Sequence, residues 1–143
     1  MIDIGEKPLV TRSAVATGRI LLSTATVAQV RDGTVRKGDV LTVARVAAVQ
    51  AVKRTPDTIP YCHPIPITMV GVGFEVHDAS IDVICEVRAT YSTGVEMEAL
   101  CGVTAALLAI WDMVKYLEKD ADGQYPKTRI EDVRVLSKCK GGA

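Results

Sequence analysis

Four prolines, Pro56, Pro60, Pro64 and Pro66, stand within eleven positions of one another. Proline has no backbone N–H to give to a helix ladder or to a neighbouring strand. The stretch 56–66 is therefore expected to be neither helix nor central strand. It reads as a stiff loop that divides the chain in two, and stiff loops are where side chains are held out to ligands.

Regular elements are expected on both sides of this loop. From Arg12 to Leu22, residues Ala14, Ala16, Gly18 and Ile20 alternate with Val15, Thr17, Arg19 and Leu21. That pattern predicts a strand covered on both faces. Ser23 is placed to cap a short helix running to about Val30, and Asp32-Gly33 makes a turn. Asp39 is the N-cap expected of a helix over roughly 40–54, with Val40, Val43, Ala44, Ala47 and Ala51 as its apolar stripe. Beyond the prolines, Val70, Val72, Phe74 and Val76 share one strand face. Ile81, Val83, Cys85 and Val87 share a face of the next strand, after a turn at 77–80. The strongest helix signal runs from about Val95 to Lys119, and a last strand is expected near Ile130–Leu136. This order predicts an α+β, ferredoxin-like split βαβ, an antiparallel sheet with helices packed on one face. One domain is expected over 1–143, with 1–11 an extended arm and 137–143 a flexible tail.

Composition narrows the partners. The chain has 143 residues with only one Phe and one Trp, so Val, Leu, Ile and Ala must fill the core and elements must approach closely. Lys plus Arg equals Asp plus Glu at 17 each. A net charge of zero argues against a nucleic-acid binder and favours association between subunits. Four cysteines show no C-x-x-C spacing, so no metal site or cofactor is expected, and the thiols read as free in a reducing cytoplasm. Neither a secretory leader nor an apolar run of about 20 residues is seen, and no membrane contact is expected.

Several positions are candidates for chemistry, each with a plainer reading beside it. Lys37, just before the helix capped by Asp39, suits a phosphate, although a surface lysine beside a turn glycine explains it better from spacing alone. Lys53-Arg54 ends the same helix, where the dipole already favours cations; Lys53 is a substrate-binding candidate, for a phosphate, if the pair faces Lys37 or its counterpart in another subunit. His63, beside Tyr61 and Cys62 in the proline loop, is a candidate acid/base or hydrogen-bond donor, or a loop histidine bonded to backbone. His77 reads as solvated. Glu96, Met97 and Glu98 open the long helix, either as dipole partners or to read the N–H donors of a purine-like ring. Asp112 and Lys115 are three apart on one helix face and hold each other charged. Glu98 and Asp112 lie fourteen positions apart on one stripe, about 21 Å along a helix axis. They cannot meet around one small group in a single subunit: either the ligand is as long as a nucleotide triphosphate or, the preferred reading, Asp112 and Lys115 of one subunit meet Glu98, Lys37 and the His63 loop of a neighbour.

The strings Lys37-Gly38-Asp39-Val40, Gln50-Ala51-Val52-Lys53-Arg54-Thr55, Ile59-Pro60-Tyr61-Cys62-His63-Pro64, Thr93-Gly94-Val95-Glu96-Met97-Glu98-Ala99-Leu100 and Trp111-Asp112-Met113-Val114-Lys115 together resemble the MoaC family of cyclic pyranopterin monophosphate synthases. The resemblance spans nearly the whole chain. It implies a ferredoxin-like subunit in a hexamer, a trimer of dimers. It implies conversion of 3′,8-cyclo-7,8-dihydro-GTP to cyclic pyranopterin monophosphate, with release of pyrophosphate, in molybdenum-cofactor biosynthesis. By the same matching, Asp112, Lys37 and Lys115 are catalytic; Tyr61, Cys62, His63, Glu96, Met97 and Glu98 contact substrate; Arg12 and Lys138 bind phosphate. Tyr61 departs from the leucine more usual there, and Lys138-Cys139-Lys140-Gly141-Gly142 departs from the usual tail. A non-catalytic regulatory domain of the same shape, binding a small anion between subunits, is the alternative.

Overall fold

The computed structural model describes residues 1–141. The elements follow in the order β1 (Val10–Leu21), α1 (Thr24–Asp32), α2 (Val40–Lys53), α3 (Thr55–Thr58), β2 (Ile67–Val76), β3 (Ser80–Tyr91), α4 (Glu96–Glu118) and β4 (Arg129–Lys140). The four strands form one antiparallel sheet in the order β2-β3-β1-β4. This is the expected ferredoxin-like α+β plan, with α2 and α4 laid across one face of the sheet.

The core forms where that face meets the helices. Ala14, Ala16 and Ile20 of β1 and Ile81, Val83, Cys85 and Val87 of β3 point to it and are buried. Leu107 and Ile110 of α4 fill the space above them. Each fully buried aliphatic side chain of this size contributes about 1.5–3 kcal/mol. Small residues set the spacing. A Cβ on Gly18 would meet Leu107 and Val103 within 3 Å, and one on Gly102 would meet Cys85 Sγ at 2.7 Å and Val52 at 2.9 Å. The sheet, α2 and α4 thus approach as closely as a core almost without aromatic rings requires.

Four expectations need correction. β1 is covered on one face only: Val15, Thr17, Arg19 and Leu21 on the other remain half-buried. The buried stripe of α2 is Val40, Ala44, Ala48 and Val52, while Val43 faces out. The reason is contact with α4 at Gly102, which draws in Ala48 and Val52. Pro56 does not keep helix out of the proline stretch. It enters the short helix α3 in its first turn, where a missing N–H costs nothing. The tail expected to be flexible is strand as far as Lys140, paired with β1 through Ala14↔Lys138 and Arg12↔Lys140. The rest of that tail, 142–143, lies outside the described residues.

By length and composition, α4 would be apolar enough to cross a membrane, contrary to expectation. Its apolar side is instead taken up by the sheet and α2. At its C-terminal end the buried Glu118 gathers three segments. It accepts from the Ser23 N–H at 3.2 Å, from the Ser23 hydroxyl at 2.9 Å, from the Thr26 hydroxyl, and from the Thr128 hydroxyl at 2.8 Å. Burial pushes this carboxyl up, but the donors outweigh it and hold it below the usual range.

Candidate active site

One cluster forms at the late end of α4. Lys37 sits in the turn between α1 and α2, closed by the Gly38 N–H donating to Val35 O at 3.1 Å. Gly38 has φ 120°, a conformation glycine takes without strain. Asp39 then caps α2 through the Thr42 N–H. Because α2 runs antiparallel to α4, this turn comes to rest beside Asp112. The Lys37 ammonium donates to the Asp112 backbone carbonyl at 2.8 Å and lies 3.6 Å from its Oδ2. Lys115 Nζ is 3.1 Å from Oδ1 of the same carboxylate. Lys115, and after it Lys37, hold the Asp112 carboxyl below its ordinary value. The Asp112 carboxylate thus lies between two ammonium groups, and its side chain remains 63% exposed and open to a ligand. The lysine that meets the Asp112–Lys115 couple therefore belongs to the same chain, where the sequence pointed to a neighbouring subunit.

A second cluster forms at the early end of α4. A pocket of about 150 Å³ lies between the proline loop, with Cys62 and His63, and the helix start, with Glu96, Met97 and Glu98. Tyr61 stands exposed at its rim. The N-terminal arm lies on the far side of Tyr61 and His63, where Ile2, Ile4 and Lys7 help to line a further hollow. Glu98 is buried, and among the described residues no side chain donates to it. Burial lifts its carboxyl above the usual range, and Glu96 adds repulsion. The thiols of Cys62 and Cys101 are pushed up by burial and by Glu98. A buried carboxylate that no side chain donates to, lining a polar pocket, suits a ligand that brings N–H groups.

Beside it a hollow of about 170 Å³ is lined by Arg12, Gly94, Glu96, Lys138 and Lys140. The strand pairing of β4 with β1 is what carries Lys138 here, and its ammonium bonds Glu96 Oε1 at 2.8 Å. Burial pushes the Glu96 carboxyl up, but Lys138 and then Arg12 outweigh this and hold it below the ordinary range. Arg12 donates to Ser92 O at 3.4 Å, while its buried Nε has no partner among the described residues. A cation with an unused buried donor, between two lysines, is suited to an anionic group.

Not every expected residue joins these clusters. Lys53 is exposed in the last turn of α2 and lines neither hollow. His77 is not simply solvated: its Nε2 lies 3.1 Å from Asp82 and 3.8 Å from Glu75. Those three side chains could hold a metal ion by spacing. Arg19, however, already bonds both Asp82 oxygens, at 2.6 and 3.0 Å, and a cation there would face its charge. The residues missed in the sequence are Tyr116, whose hydroxyl bonds the turn carrying Lys37, and Glu118. Tyr116 stands four residues beyond Asp112 on one helix face, which is the signal that would have marked it.

A family model described as the MoaC family matches residues 1–141. The chain belongs to the MoaC family. Its relatives include a protein of Pyrococcus horikoshii, named Probable cyclic pyranopterin monophosphate synthase, 59% identical over 140 residues, 98% of this chain and 88% of that one. Proteins of the same name from Pyrococcus abyssi and Methanosarcina mazei are 58% and 56% identical, over 98% and 100% of this chain and 88% and 91% of theirs. The MoaC match runs through both clusters and through the strand that supplies Lys138.

Proposed function

We propose that this chain is a cyclic pyranopterin monophosphate synthase of molybdenum-cofactor biosynthesis, acting in the cytoplasm on 3′,8-cyclo-7,8-dihydro-GTP and releasing pyrophosphate. The observation that carries this reading is the Lys37–Asp112–Lys115 group at one end of α4, in a chain of the MoaC family. Ring opening and pterin closure move protons, and an ammonium held by a carboxylate is placed to supply and recover them. Closing the cyclic phosphate joins a substrate oxygen to the α-phosphorus as the bond to pyrophosphate breaks. Lys37 stabilises the charge that develops there. At the other end, Glu98, Cys62 and His63 orient the purine-derived ring, while Arg12 and Lys138 receive the phosphates. On this reading Lys138 gives up Glu96 for the substrate.

Helix α4 runs unbroken between Glu98 and Asp112, so the two ends stay about 21 Å apart in one subunit. This supports sites completed between subunits, in a hexamer built as a trimer of dimers. Apolar side chains left on the outer helix faces, Val46 at 52% and Leu108 at 56% exposed, support association as well. The test is single turnover with Lys37→Ala, Lys115→Ala and Asp112→Asn. Each is expected to lower the rate about 100-fold or more. Wild-type rates in all three would remove the assignment, and a substrate bound but returned unchanged by the native protein would favour a regulatory role.

A further inference from the structure

The turn that carries Lys37 is fastened to α4 by a residue outside both clusters. The Tyr116 hydroxyl accepts a hydrogen bond from the Arg36 backbone N–H at 2.7 Å. The Arg36 guanidinium lies over the Tyr116 ring, 4.4 Å from its centre. Val35, on the other side of Arg36, is buried in the core. The residue before Lys37 is thus held at its backbone and at its side chain, both times by one tyrosine. That tyrosine stands next to Lys115 and one turn beyond Asp112, so a single helix face sets the positions of all three charged groups.

We infer that Tyr116 is a positioning residue, which holds the Val35–Gly38 turn so that the Lys37 ammonium rests on Asp112. The inference builds on the reading of Lys37, Asp112 and Lys115 as the reacting group. Lysine carries a charge on a long flexible stem, and fixing its backbone removes much of the freedom that would take the ammonium elsewhere. Placement of a charged group at a reacting centre contributes to the rate in its own right.

Tyr116→Phe keeps the ring beneath Arg36 and removes only the acceptor. Two measurements on the assembled protein test the role. The first needs no turnover: a brief pulse of acetic anhydride, with acetylation at Lys37 read by mass spectrometry against Lys53 as the internal reference. The Lys37-to-Lys53 labelling ratio is expected to rise about threefold in Tyr116→Phe, and further in Tyr116→Leu, which also loses the ring. An unchanged ratio in both variants overturns the proposal.

The second measurement is a double-mutant cycle in single turnover. Tyr116→Phe is expected to lower the rate about fivefold, the size of one net hydrogen bond, with KM within about twofold. It should add nothing in the Lys37→Ala background. Equal losses in both backgrounds would mean a general effect on the fold and overturn the positioning role. The outcomes separate from those of the underlying reading. If Lys37→Ala turns over at the native rate while the labelling ratio rises, Tyr116 positions Lys37 but Lys37 does not serve the reaction.

Discussion

Removing the charge of Glu118 tests what fastens α1, α4 and β4 together. Glu118→Gln keeps the shape of the side chain but replaces one acceptor oxygen with an N–H donor. The hydroxyls of Ser23, Thr26 and Thr128 can rotate to suit it, but the Ser23 backbone N–H, shared between both oxygens at 3.2 Å, keeps only one acceptor and faces the new N–H donor. A hydrogen bond to a charged group contributes about 1.5–3 kcal/mol, and to a neutral group about 1 kcal/mol. Weakening two such bonds and leaving the Ser23 N–H with a poor partner gives a loss of about 2–3 kcal/mol. In a chain of this size that lowers the thermal midpoint by roughly 8 °C. The assay is urea unfolding at one fixed protein concentration, because subunit association would otherwise shift the apparent stability. The pH dependence follows from the depressed carboxyl of Glu118. Its contribution is complete above the unfolded value, about 4.3, and is lost as pH falls through the lower folded value. The gap between native protein and variant should therefore be full at pH 7 and close as acid is added below about pH 4. A variant within about 0.5 kcal/mol of the native chain at neutral pH, or a gap unchanged by acid, would refute this account of the three-way junction.

Glu98 should behave in the opposite sense. Its carboxyl is raised by burial, so the ionised form costs stability once pH exceeds the folded value. Glu98→Gln is expected to gain about 1 kcal/mol at pH 8, to lose that gain below about pH 4, and to bind substrate more weakly; thermal midpoints at the two pH values and a substrate titration check it. The proposed sharing of sites between subunits makes a prediction about mixtures. Lys115→Ala and Glu98→Ala, each inactive alone, should regain turnover at about one quarter of sites when their subunits are mixed at random. No recovery in a mixture shown by mass to have exchanged subunits would place both ends of α4 in separate sites. The losses expected of the Lys37, Asp112 and Lys115 variants, and the coupling of Tyr116 to Lys37, complete the set.

Most of the architecture was legible because the patterns that encode it are local. Ser23 and Asp39 announce their helices through caps, and Ile81, Val83, Cys85 and Val87 announce β3 by alternation. What escaped depended on packing across the fold. The buried side of α2 is chosen by the glycine it meets on α4, so Ala48 and Val52 go inward and Val43 does not. Lys138-Cys139-Lys140 has no apolar rhythm and reads as a solvated tail. It is strand because β1 offers it backbone partners, and lysines suit a sheet edge. The candidate site divides in the same way. Asp112 with Lys115 was visible as a helical spacing, and Glu96 with Glu98 as acidic residues opening a helix. That Lys37 comes to Asp112, or Lys138 to Glu96, follows only from the antiparallel placement of α2 and the pairing of β4.

The place of β1 inside the sheet bears on how the protein is made. Of the four described strands, the first to be synthesised needs a partner on each side, and one of those partners is the last of the four. Until β4 arrives, the backbone of β1 beside Ala14 and Ala16 presents an open edge, the kind that recruits foreign strands. Pairings so distant along the chain are also slow to form. A nascent chain short of β4 would own the proline loop and its pocket yet have no Lys138 beside Arg12, and so lack the seat proposed for the phosphates. On that proposal, competence to hold the nucleotide arrives only when the closing strand does.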